Sequence, residues 1–197
     1  NTTGNLNFIN YADDKDISFQ SDDGAGGVGE YFRLDGSAAS SGNYLITLFP
    51  DDSRIAMGNG WDMQLWHDGT DNWIYNGTGD LKIEQAANDK DIIFMCDDGS
   101  GGSTAYITLD GSAGYTTVQK NMHFADDVYA RFGDAFDMEI GHDGSSSYIS
   151  HTGVGDLIIQ NTEDDKDIIL KSDDGSGGVT EYLRLDGSIA KTTVSRP

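Results

Sequence analysis

The sequence predicts an all-β protein, an elongated and repetitive structure of short strands and hairpins. Three observations lead there. Gly4-Asn5-Leu6, Gly79-Asp80-Leu81 and Gly155-Asp156-Leu157 open three copies of one pattern, spaced by 75 and then 76 residues. Apolar side chains inside each copy alternate with polar ones at period two, the mark of a half-buried strand. Clusters of Gly and Asp recur between these runs, where a chain must reverse. The copies divide the chain into a β-repeat unit over 1–78, a second over 79–154, and a partial third over 155–197. Repeated supersecondary units of this kind cover each other's apolar faces by stacking.

Each element follows from its residues. Leu6 and Phe8 share one face of a first strand, matched by Leu81 with Ile83 and Leu157 with Ile159. Asp-Lys-Asp-Ile follows, from Asp14, Asp89 and Asp165, and starts a second strand. There Ile17 and Phe19 are matched by Ile92 with Phe94 and Ile168 with Leu170. Asp-Asp-Gly-x-Gly-Gly, from Asp22, Asp97 and Asp173, reads as a hairpin connection, because Gly accepts positive φ. In the returning strand Phe32 and Leu34 share a face, as do Ile107 with Leu109 and Leu183 with Leu185, and Tyr31, Tyr106 and Tyr182 point the other way. Leu-Asp-Gly-Ser closes each block, from Leu34, Leu109 and Leu185. A looser linking stretch also repeats: Asp62, Met63, His67, Asp68 and Gly69 recur as Asp137, Met138, His142, Asp143 and Gly144. Trp61 becomes Phe136, Leu65 becomes Ile140 and Trp73 becomes Tyr148, so apolar character persists where identity does not. Glu84 to Lys90 and Phe124 to Phe132 are the two places where a turn or two of helix fits.

Composition narrows the function. Gly reaches 26 of 197 residues while Pro is 2, and apolar residues are 37% of the chain, which predicts a thin interior spread over many turns. Short strands also leave open edges that must be paired or covered. Both features predict association of chains, as an intertwined or side-by-side assembly. A net charge of −22, from 34 acidic and 12 basic residues, excludes a basic nucleic-acid surface and disfavours anionic membranes. No run of 18 apolar residues is present, so no membrane-spanning helix is expected. Cys96 stands alone in a slot filled by Ser21 and Ser172 in the other copies, so no intrachain disulfide forms. The sequence has no initiator Met and stops at Pro197, where the pattern calls for another strand, so it reads as a segment of a longer repetitive protein.

One stretch carries a resemblance. Phe132-Gly133-Asp134-x-x-Asp137-Met138-x-Ile140-x-His142-Asp143-Gly144, then Ser147-Tyr148-Ile149 and Gly153-x-Gly155-Asp156-Leu157, resembles a repeat common in tail-fibre and tail-spike proteins of tailed bacteriophages. The first unit is less close, with Met57-Gly58-Asn59 and the richer Trp61, Trp66 and Trp73. The pattern covers nearly the whole chain. The resemblance implies a homotrimeric β-rich segment of a virion tail, extracellular when mature, that connects the tail to a receptor-binding tip or forms part of it. It supplies no catalytic residues. The self-cleaving, trimerising chaperone domain in which proteins of this kind often end is not recognisable in the sequence.

Catalysis finds little support in the residues. His67-Asp68 and His142-Asp143 are each followed by Gly, which makes a turn in which Asp bonds its own backbone. No Ser or Cys motif recurs beside them as a nucleophile. The expectation is a non-enzymatic protein with no cofactor. Ca²⁺ at Asp22-Asp23 and their equivalents is the one candidate, although no helix-loop-helix calcium spacing is present. His67, His123 and His142 are the conceivable ligands of a transition metal on a symmetry axis. The best binding candidates lie in the first unit, where all three Trp fall within thirteen positions. Trp66, expected to face opposite to Leu65 and outward, could stack on a sugar ring with Trp61 and Trp73, while His67, Asp68 and Asn72 bond its hydroxyls; the alternative is packing against an adjacent chain of the assembly. The expected function is a rigid shaft or host-attachment module; the alternative is a domain that binds, or less readily cleaves, a host surface glycan.

Overall fold

The computed structural model describes Gly4, residues 6–38 and residues 44–195; Asn5 of the opening motif and Pro197 lie outside them. Among the described residues, fifteen strands form five antiparallel three-stranded sheets, each a simple meander. The first sheet contains β1 (Ile17–Asp22), β2 (Val28–Asp35) and β3 (Ile46–Leu48). The second contains β4 (Ile55–Met57), β5 (Met63–His67) and β6 (Asn72–Asn76). The third is β7 (Ile92–Asp97), β8 (Ser103–Asp110) and β9 (Tyr115–Val118). The fourth is β10 (Tyr129–Phe132), β11 (Met138–His142) and β12 (Ser147–His151). The fifth is β13 (Ile168–Asp173), β14 (Val179–Asp186) and β15 (Lys191–Val194). Two sheet designs therefore alternate along the chain. By packing, the chain divides into two compact units, residues 1–92 and 93–197.

The expected hairpins form for a specific reason. Asp23 Oδ1 accepts from the amides of Ala25 and Gly27 at 2.8 and 2.9 Å, and Asp98 and Asp174 do the same in their loops. The acidic loop is thus an Asx turn, in which the carboxylate replaces a backbone acceptor. Tyr31 and Tyr182 do more than alternate outward. Each is the extra residue of a β-bulge, between Phe32 and Glu30 or between Leu183 and Glu181. A bulge re-aims its side chain. The hydroxyls of Tyr31, Tyr106 and Tyr182 each donate to the carbonyl of the residue that ends the preceding strand, Asp22, Asp97 and Asp173, at 2.9 Å.

Two motifs that travel together in the sequence meet in space. Asp16 Oδ1 accepts from the Gly36 amide at 2.9 Å, and Asp167 Oδ1 from the Gly187 amide at 3.0 Å. A Cβ on Gly36 would collide with the carbonyl of Lys15, and one on Gly187 with that of Lys166. Asp-Lys-Asp therefore clamps Leu-Asp-Gly-Ser, about twenty residues later. On the same sheet face Arg33 pairs with Asp16, Glu30 and Asp35, and Arg184 pairs with Asp167 and Glu181. The middle repeat has Thr108 in the arginine slot, where its hydroxyl lies 2.7 Å from the Gln119 side-chain amide.

Three expectations change. No α-helix occurs among the described residues: 84–90 is irregular with a turn at its centre, and 129–132 is β10. Asp89 and Asp127 take left-handed backbone there, and the Lys90 and Val128 amides close turns onto the carbonyls of Ala87 and Ala125, so no helix propagates. The runs at Leu6–Ile9, 81–84 and 157–160 are not ladder strands, and no backbone hydrogen bond joins them to other described residues. Most important, the predicted apolar faces exist but are not covered. Among the described residues no apolar side chain is buried; only Gln64 and Thr108 fall below a tenth exposed, at 8% each. Within each compact unit, every extensive strand contact joins neighbours in the same sheet, so each sheet forms a single layer.

The glycine clamp gives a direct test. Gly187→Ala should destabilise the protein by ~1–3 kcal/mol through the forced backbone shift, read as a lower thermal midpoint by circular dichroism. Asp167→Asn, which keeps an acceptor for the Gly187 amide but weakens the pairing with Arg184, should cost less.

Candidate functional site

The tryptophan-rich second sheet has two unlike faces. Ladder partners share a face, so Ile55, Met57, Met63, Leu65 and Ile74 line one side and Ala56, Gln64, Trp66, Trp73 and Tyr75 the other. Trp66 lies directly across from Trp73, with ring centroids 5.6 Å apart and planes 10° from parallel. The Tyr75 ring meets Trp66 edge-on at 6.4 Å. Arg54 places its guanidinium 4.4 Å from the Trp66 ring centroid, a cation–π contact, and its Nη1 donates to Gln64 Oε1 at 2.8 Å. Trp66 is thus a half-buried member of a stack.

His67 and Asn72 are ladder partners on the Leu65 face, so the six sequence candidates do not converge on one surface. His67 Nδ1 sits 2.8 Å from Asp51 Oδ1, and this hydrogen bond raises its pKa above the usual imidazole value. Asp68 occupies the turn as expected. Its Oδ1 accepts from the Thr70 and Asp71 amides at 3.0 and 2.8 Å, and its Oδ2 accepts from Trp73 Nε1 at 2.6 Å. These bonds hold its carboxyl below the ordinary carboxylate range, with the Asp71 amide the largest cause. In the equivalent turn Asp143 is held lower still, at about 2, chiefly by the Tyr148 hydroxyl 2.7 Å away.

Trp61 is set apart from the stack. It stands on the loop before β5 with φ at 56° and 69% of its surface exposed. A bulky side chain rarely adopts this left-handed backbone. Phe136, its equivalent, has φ at 58°, so the strained aromatic is a feature of the repeat. Trp61 lines an open groove of about 570 Å³ together with Tyr31, Glu30, Asp51 and Arg54. Of the six candidates for ligand binding only Trp61 lies on this groove, and Asp23 of the calcium candidates lines it as well. Sequence reasoning missed Arg54, Tyr31 and Glu30, which come from two different sheets; no local spacing could signal them. Among the described residues no group of three or more His, Cys, Asp or Glu is placed to hold a metal ion.

The second repeat rebuilds the aromatic face differently. Gly141 replaces Trp66, and the Tyr129 ring, in the Arg54 slot, lies so close over it that a Cβ would collide. Arg131 takes up the cation's place, 4.8 Å from the Phe136 ring centroid, with its Nε donating to Glu139 at 2.7 Å. The ring is supplied by the neighbouring strand, so the face persists although its residues change. No family model, curated protein or solved structure matches the chain.

The titrations carry signs that can be checked. The Asp51–His67 bond stabilises the fold fully below the ordinary imidazole pKa and ceases to do so as pH rises through the raised value. Asp51→Asn should bring the His67 titration, followed by NMR, back down. Asp143 stabilises its turn above the ordinary carboxylate pKa and loses that effect as pH falls toward about 2. Tyr148→Phe should therefore raise the Asp143 titration and move loosening of the turn to higher pH.

Proposed function

We propose that the chain is a non-enzymatic structural segment of a phage tail fibre or spike, a homotrimeric shaft or host-attachment module of the virion. The observation that carries this reading is the single-layer sheet. Soluble domains bury one layer against another. Here all the sheets leave an apolar face open, and the accessible surface is 15851 Å². Two separate folded bodies of half the 21.2 kDa mass would together expose only about 11,000 Å². The roughly 5,000 Å² in excess matches what obligate subunits bury between them. Further chains of the same kind supply the missing layer. The tail-fibre likeness of residues 132–157 supports three as the number and the virion as the place. The mechanism is mechanical: repeated sheets give stiffness, and the outward loops give contact.

A second reading rests on the groove around Trp61. An exposed aromatic, a tyrosine, an arginine and the carboxylates of Asp23, Glu30, Asp51 and Asp52 suit a sugar, whose ring stacks and whose hydroxyls pair with charged groups. The backbone strain at Trp61 agrees with a residue kept for contact.

Native mass spectrometry at micromolar concentration should return three times the chain mass; a monomer would remove the structural reading. Trp61→Gly relieves the left-handed strain, so it should leave the thermal midpoint at or above that of the parent. The same variant should lose any binding on a glycan array, and unchanged binding there would dismiss the groove.

A further inference from the structure

We propose that the extended segments 6–9, 81–84 and 157–160 are donor strands, each adding to a sheet edge of a second copy of this chain. The proposal rests on the self-association argued above. Each segment alternates like a strand, with Leu6 and Phe8, Leu81 and Ile83, or Leu157 and Ile159 on one side. Yet none is in a ladder, none has a backbone hydrogen bond to other described residues, and all these side chains are exposed, Ile83 to 62%. A run with strand pattern and no strand partner lacks only an edge. Edges are free in every three-stranded sheet, where the outer strands bond on one side only. Strand addition supplies main-chain hydrogen bonds for affinity and pockets for alternate side chains for specificity.

The occupant is a second copy for three reasons. The charge of −22 repels nucleic acid and anionic lipid surfaces. The accessible surface in excess of two ordinary folded bodies is of the size obligate subunits bury. The segments recur at the same spacing as the sheets, so two copies in register engage all the segments at once, and the later contacts form at high effective concentration. Two of the ends are fixed too: the Asn10 and Asn161 side-chain amides donate to the carbonyls of Asp16 and Asp167 at 3.1 Å, which sets the direction in which the first and third segments leave their own sheets.

Hydrogen–deuterium exchange on the intact chain, with native mass measured on the same sample, tests this. Expected is an oligomer in which peptides covering 81–84 and 157–160 exchange at least about 100-fold more slowly than unstructured peptides. An oligomer with those amides exchanging freely overturns strand donation and leaves self-association standing. A monomer overturns both. A proline pair gives a second readout, because successive amides of a strand point to opposite sides. Lys82→Pro and Ile83→Pro are harmless in a free extended segment, whereas one of the two must remove a ladder bond in a donated strand. One of them should lower the thermal midpoint and speed exchange across 81–84; two variants indistinguishable from the parent would overturn the proposal.

Discussion

The absence of a second layer governs this protein. A sheet has two faces, and one of them here is apolar by strict alternation: Ile17, Phe19, Phe32 and Leu34 in the first sheet, Ile55, Leu65 and Ile74 in the second. An apolar face left in water forgoes the roughly 25 cal/mol per Å² that its burial would contribute to folding. Among the described residues no apolar side chain of these faces is buried. Phe19 stacks on Phe32 at 4.5 Å and Phe32 on Phe49 at 5.7 Å, so rings pack side by side along this face.

The acidic surplus has a structural use that charge counting hides. Asp22, Asp23, Asp68, Asp110, Asp143 and Asp186 all accept from backbone amides a few residues onward. A carboxylate bonded in this way is favoured in its ionised form, which is why Asp23 and Asp68 lie below their ordinary pKa; Asp110 lies below its own chiefly through the Ser112 hydroxyl and then the Ala113 amide. Turns made by Asp let the chain reverse many times with few prolines. They also leave the loops negative, and the arginines are concentrated where sheet faces meet several acids at once, as at Arg33 and Arg184.

Much of the fold was legible because its signals are local. Period-two alternation located β1, β2 and their equivalents, and the Gly-Asp clusters located the hairpins. The bulge at Tyr31 was not legible, since an extra residue leaves the alternation of its neighbours looking regular. The unpaired state of Leu81 and Ile83 was hidden too: a strand pattern records what a segment can do, while its partner is set by what lies beside it. The site was legible in part. Clustered tryptophans pointed to the second sheet, and alternation correctly separated Trp66 from Leu65. It also separates Trp66 from His67 and Asn72. Arg54 over Trp66, and Tyr31 beside Trp61, are tertiary juxtapositions that no spacing rule contains.

The exchange between Arg54 with Trp66 and Tyr129 with Gly141 bears on how such repeats can diverge. A large ring at position 141 has no room until the side chain at 129 shortens, whereas shortening 129 first leaves only a vacancy. Change at this pair therefore has a permitted order, and grafting one residue from the first repeat into the second meets a steric veto that grafting both avoids.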